Sequence, residues 1–146
     1  LETRIIVQRK VGRSILYKVN KNHILFSKIK EIMELEKNSL LKVAQEFTSS
    51  ISKEYISAIV LFGSVARGDF TEKSDVDILV VYKNEIAKKQ VGDVVDTILD
   101  TYDVHVMPIF LTQKEIEARV KRFDNFIITV MNEGHLLYGV AQWLKK

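Results

Sequence analysis

The chain contains no cysteine, a single proline in 146 residues, and only three histidines, scattered along its length. Without cysteine there are no disulfides and no thiolate metal centres, and isolated histidines do not make a histidine cluster. No apolar run approaches the ~20 residues of a membrane span. No signal peptide is visible, so the expected location is the cytoplasm, with no membrane partner. Repeats and low-complexity segments are also missing. What is present suits a soluble globular protein: 47 % hydrophobic and 28 % charged residues, in a length that fits one domain or one domain plus an appendage. The net charge of +3 is compatible with nucleotides or nucleic acid as partners. Leu1 opens in the middle of a strand-like pattern without a methionine, which reads as a fragment of a longer protein.

Residues 4–10 and 13–19 read as two strands joined at Val11-Gly12, with alternating apolar positions and a basic tip of Arg9, Lys10 and Arg13. Such a hairpin is marginal alone in water and must pack on something, a second copy of the chain being one option. A helical stripe follows over about 23–51, carried by Phe26, Ile29, Met33, Leu40, Ala44, Phe47 and Ile51. Lys37 interrupts it, and Asn38 or Ser39 is placed to cap a second helix, so one helix or two are both open. The period then changes. Strands are expected over 55–62, 75–82 and 104–110, with Pro108 marking the last as an edge or a bulge. Helices are expected over about 85–101 and from a Thr112/Glu115 capping box to about 121. Another carries Phe126, Ile127, Val130 and Met131 and stops at Gly134, ahead of a last short strand at 135–140.

The chemistry concentrates in LFGSVARGDFTEKSDVDILVV, residues 61–81. A strand runs into Gly63-Ser64 at the start of a helical turn. Glycine lets a phosphate approach the backbone, N–H groups at a helix start favour an anion, and Ser64 adds a hydroxyl donor. Asp75 and Asp77 are two apart on a strand and point the same way, with Cα atoms roughly 6.6 Å apart. Carboxylates so placed repel unless a cation joins them, and Mg²⁺ takes one or two carboxylates together with substrate phosphates. Arg67 is either a phosphate contact or an ion-pair partner for a nearby acid. Tyr138 and Trp143 read as packing residues.

This segment resembles the DNA polymerase β-type nucleotidyltransferases, the minimal members most of all. Their signature is Gly-Ser, ten residues, then Asp-x-Asp, and here Gly63-Ser64 is followed by VARGDFTEKS and Asp75-Val76-Asp77. Ala66-Arg67-Gly68 and Ser74 match the wording around that signature. The resemblance implies an α+β fold over residues 37–146, a small mixed sheet flanked by helices. It implies Mg²⁺-dependent transfer of a nucleoside monophosphate, AMP from ATP in the first instance, to a hydroxyl acceptor. Gly63, Ser64, Arg67 and Ser74 would bind the nucleotide and Asp75 and Asp77 the metal. A third ligand from a later strand would be Asp103, with His105 as the alternative. The acceptor would be a protein, a small helical toxin in the case of a toxin–antitoxin pair.

The N-terminal RIIVQRKVGRSILYKVN and the helix after it resemble the wing hairpin and final helix of a winged helix-turn-helix domain, over residues 1–36. That resemblance implies DNA contact by the full-length protein, mainly to phosphates; the apolar stripe and the orphan hairpin separately point to a homodimer. The winged-helix resemblance also supplies a second expectation: a DNA-binding regulator whose nucleotidyltransferase-like domain is catalytically degenerate and serves nucleotide sensing or dimerisation.

Overall fold

The computed structural model describes residues 5–71 and 74–144, and of residues 36–38 the backbone only. Arg4 at the start of the first expected strand, the side chains of Lys37 and Asn38, and Glu72 and Lys73 of the 68–74 loop lie outside the described residues. The elements in chain order are β1 Ile6–Val11, β2 Ser14–Val19, α1 Phe26–Ser50, β3 Ile56–Phe62, α2 Gly63–Arg67, β4 Val76–Tyr82, α3 Ile86–Tyr102, β5 Val106–Thr112, α4 Gln113–Lys121, α5 Asn125–Glu133 and β6 His135–Gly139. The stretch left open as one helix or two is a single helix, α1. The chain divides into two compact units between Asn38 and Ser39.

The first unit holds an antiparallel hairpin in which Ile6 faces Val19 and Val11 faces Ser14. Gly12 turns the chain at φ 59°, a left-handed conformation that glycine adopts without strain. Apolar side chains emerge on both faces of this ribbon, and Ile6, Val7, Ile15, Leu16 and Tyr17 are all exposed. In the first half of α1, Ile29 and Met33 of the expected stripe are exposed as well.

The second unit is a mixed four-stranded sheet in the order β5-β4-β3-β6. β3 runs antiparallel to both β4 and β6, and β4 runs parallel to β5. Period-2 alternation sends side chains to two separate cores. Ile59 and Leu61 of β3 and Ile78 and Val80 of β4 join Ala44 and Phe47 of α1 and Ala87 and Val91 of α3 on one face. On the other face Ala58, Val60, Leu79 and Val81 meet Ile116 of α4 and Ile127 and Val130 of α5. β3 and β4 are covered on both sides, which is why they read as nearly continuous apolar runs. Tyr138 packs against the first core and Trp143 against the second. β5 is an edge strand, as its proline predicts. His105 O accepts from Val76 N at 2.8 Å, so alternation turns the Pro108 nitrogen away from β4 and no ladder bond is lost.

Two helix ends are set by particular residues. Thr112 and Glu115 form the expected capping box, each side chain accepting from the other's backbone N–H. Gly134 does end α5, but at φ −70° and not in the left-handed conformation typical of a glycine stop. Glycine is required there by space: a Cβ would stand 2.4 Å from Val130 O and 2.8 Å from Val60 Cγ1. The end of α5 therefore lies directly on β3. Gly134→Ala is expected to destabilise the fold by about 1–3 kcal/mol, as overpacking does. Thr112→Ala is expected to destabilise it by about 1 kcal/mol through the lost cap. Urea titration of both variants measures these changes, and an unchanged midpoint for Gly134→Ala would contradict the close approach.

Candidate active site

The site starts from one cross-strand pair. The β3–β4 register places Phe62 opposite Asp77, and the chain turns immediately after Phe62 into α2. Gly63 makes that turn at φ 75°. A Cβ on Gly63 would lie 2.2 Å from Asp77 Oδ2 and 3.0 Å from its Cγ. The left-handed conformation favours glycine, a Cβ would have to displace the Asp77 carboxylate, and the bare backbone of the turn rests against it. α2 closes with Gly68 in the left-handed conformation, and Ser64 O accepts from Gly68 N at 2.8 Å and from Asp69 N at 3.1 Å. The turn is thus a compact loop with half-buried Ser64 at its front.

Asp75 lies just before β4 and is exposed, whereas Asp77 is within the strand and half-buried. They alternate with Val76, which faces the first core, so both carboxylates emerge on the side of α4 and α5. The Asp77 carboxyl is pushed above the usual carboxylate range, first by burial and then by the Asp75 charge; Arg67 opposes the rise and Glu133 adds to it. This is a carboxylate whose charge is incompletely compensated. A hard divalent cation beside it would supply the compensation, and two carboxylate oxygens are the donors such a cation prefers.

Arg67 is held from two sides. Its Nη1 donates to both Glu133 oxygens at 2.9 Å, and its Nε donates to Asp69 Oδ2 at 3.1 Å. Those bonds hold the guanidinium above its ordinary pKa. Gly63 N also donates to Glu133 Oε1, at 3.3 Å. Glu133 is a site residue that the sequence does not single out. It is 70 positions from Gly63, so no local spacing links them, but one signal exists: an acid in the last turn of a helix opposes the helix dipole and needs an external partner. Ser74 orders the other end of the loop, its hydroxyl accepting from Thr71 N at 2.8 Å while its own N–H donates to Thr71 O at 2.9 Å.

The two candidates for a third ligand sit differently. Asp103 is the C-cap of α3, in the left-handed conformation at φ 53°, its N–H donating to Leu99 O. It precedes β5, so the strand alternation expected to put Asp103 and His105 on one face does not reach it. His105 adjoins β5 and alternates with Met107, the residue paired with Asp77. That alternation sends His105 to the side that carries Asp75 and Asp77, and it is exposed there. Among the described residues, no three His, Asp or Glu side chains are grouped closely enough to hold a metal ion. Asp75 and Asp77 therefore stand as a pair.

Residues 41–136 match the family described as "Nucleotidyltransferase domain". Over 100 residues the chain is 34 % identical to "Putative protein adenylyltransferase MJ0604" of Methanocaldococcus jannaschii, covering 66 % of this chain and 96 % of that protein. It is 28 % identical over 97 residues to "Putative protein adenylyltransferase MJ0141" of the same organism, covering 62 % of this chain and 98 % of the other. Among solved structures, "Crystal structure of the toxin-antitoxin with AMP-PNP" is similar at a TM-score of 0.44 and 22 % identity, over 73 % of this chain and 75 % of that one. The family match runs from the second half of α1 into β6 and includes the Gly63 turn and both aspartates, so the chain belongs to the nucleotidyltransferase-domain family and is a nucleotidyltransferase enzyme.

Proposed function

We propose that this chain transfers a nucleoside monophosphate, AMP from ATP in the first instance, to a hydroxyl of a protein acceptor. The observation that carries the reading is the contact of the Gly63 backbone with the Asp77 carboxylate. It brings a surface that phosphate can approach beside a pair of oxygen ligands for a cation. Gly63 and Ser64 hold the triphosphate in this reading. Asp75 and Asp77 bind Mg²⁺, and Ser74 keeps the loop ahead of them closed. A bound cation would neutralise phosphate charge and help align the attacking and leaving oxygens. The acceptor oxygen forms a bond to the α-phosphorus, the bond to pyrophosphate breaks, and the hydroxyl proton leaves to a base. The alternation along β5 favours His105 over Asp103 as a further residue beside the aspartate pair, which among the described residues has no third ligand grouped with it. The relatives named as protein adenylyltransferases support a protein acceptor. A toxin partner is the form of acceptor implied by the resemblance to minimal nucleotidyltransferases.

A second reading is favoured by a separate observation: the first unit is a compact body of its own whose hairpin tip carries exposed Arg9, Lys10 and Arg13. In that reading the full-length protein is a DNA-binding regulator, with phosphate contacts from the wing, and the second unit senses nucleotide or joins two copies. Turnover of ATP onto an acceptor separates the two readings, because a sensor binds nucleotide without releasing pyrophosphate.

Isothermal titration of ATP with and without Mg²⁺ is expected to show binding that requires the metal and is lost in Asp75→Asn/Asp77→Asn. Undiminished binding in the double variant would remove the aspartates from the site. Gly63→Ala is expected to weaken that binding at least tenfold, because its methyl group must displace the Asp77 carboxylate. A pH dependence follows from the raised Asp77 carboxyl. The folded protein holds that proton more tightly than the unfolded chain, so the site is at its least costly below the ordinary carboxylate value of about 3.9. It loses stability as pH rises through the raised value. Asp77→Asn is therefore expected to raise the Tm of the ligand-free protein at pH 7, with the gain vanishing in acid. A lower Tm at pH 7 would show that the charge is already compensated.

A further inference from the structure

We propose that Glu133 is a positioning residue for nucleotidyl transfer, fixing the Gly63 turn and the Arg67 guanidinium as one unit; the inference rests on the transfer reading above. Glu133 makes two kinds of contact. Its carboxylate accepts from Arg67 Nη1 with both oxygens at 2.9 Å, and Oε1 also accepts from the backbone N–H of Gly63 at 3.3 Å. An ion pair whose only task was to join α5 to α2 would not need the second contact, which reaches the backbone next to Ser64.

Glu133 is also held firmly from behind. It ends α5, and Gly134 packs that helix end against Val60 of β3, with no room for even a methyl group. Its side chain is only 18 % exposed, whereas Arg67 is 43 % exposed. The fixed member of the pair is thus the glutamate, and the arginine is what it restrains. The restraint matters because of what else Arg67 can reach. Arg67 already bonds Asp69, and its charge acts on Asp77. A guanidinium released from Glu133 becomes a competitor for the aspartate pair, in place of a cation. Glu133 keeps Arg67 engaged and leaves Asp75 and Asp77 to the metal, while its hold on the Gly63 amide keeps the turn in the conformation that lies against Asp77.

The test uses Glu133→Gln, which removes the charge but retains a carbonyl acceptor, Glu133→Ala, which removes both, Arg67→Gln, and the Arg67→Gln/Glu133→Gln double variant. In the ligand-free protein, amide hydrogen exchange at Gly63 is expected to speed up in Glu133→Ala and to stay slower in Glu133→Gln. The Kd for ATP with Mg²⁺ is expected to rise about tenfold in Glu133→Gln, the scale of a lost hydrogen bond to a charged group. The double variant is expected to bind no worse than Glu133→Gln alone, because the glutamate acts through the arginine. A merely structural ion pair would lower Tm and leave Kd unchanged at temperatures where the variants are folded. An unchanged Kd in Glu133→Gln, or losses that add in the double variant, would overturn the inference. Gly63 exchange unaffected by Glu133→Ala would overturn the backbone link by itself. Failure of the unsubstituted chain to bind ATP would overturn the transfer reading instead, and the exchange measurement would still decide the link.

Discussion

The antiparallel register of β3 and β4 puts Phe62 opposite Asp77, and the residue after Phe62 must then pass within touching distance of a carboxylate. A side chain there would adopt a strained left-handed conformation and push the Asp77 carboxylate aside, so the turn is made by Gly63. The same pairing explains why Asp77 is half-buried while Asp75, two residues beyond the last β3–β4 pair, is exposed. It also explains the electrostatics. Desolvation acts on the aspartate inside the strand, and its neighbour's charge reinforces the effect. A shift of the ladder by one residue would turn both aspartates into the first core and send Val76 outward, so the two hydrophobic cores that fix the register also fix the chemistry.

Around this pair the charges are unevenly matched. Arg67 serves Asp69 and Glu133 through direct hydrogen bonds, and only its longer-range field reaches Asp77. The local surplus is therefore negative, although the whole chain is positive at +3. An acidic surplus in a mildly basic protein is what a site for a cation and its accompanying phosphates requires. It is also a source of instability in the ligand-free state, a common trade between function and fold.

Much of this was legible in the sequence because its signals are local. The capping box at Thr112 and Glu115, the edge position of Pro108 and the strand-to-turn transition at Gly63 each depend on a few adjacent residues and one backbone rule. The single helix α1 was not decidable, because a polar interruption at Lys37 reads equally as an exposed turn of one helix or a break between two. Gly134 is legible as a stop, but its reason is not: the close packing against Val60 depends on residues far away in sequence. Asp103 shows the same limit, since its place on the expected strand alternation required β5 to begin earlier than it does. Glu133 was invisible for the plainest reason. Its partners are Gly63 and Arg67, and only the fold brings a residue from the end of α5 to the start of α2.

Pro108 has a consequence for assembly. Its nitrogen points away from β4, along the open side of the sheet, where any other residue would offer a hydrogen-bond donor. At the third residue of a seven-residue strand, that missing donor interrupts the row of backbone groups on which an incoming strand would have to zip. The β5 margin is in effect capped against continuous sheet extension from chain to chain, a guard that many proteins build from lysines or bulges. Copies of this protein that associate would be steered to other surfaces, among them the short β6 margin and the apolar ribbon of β1 and β2.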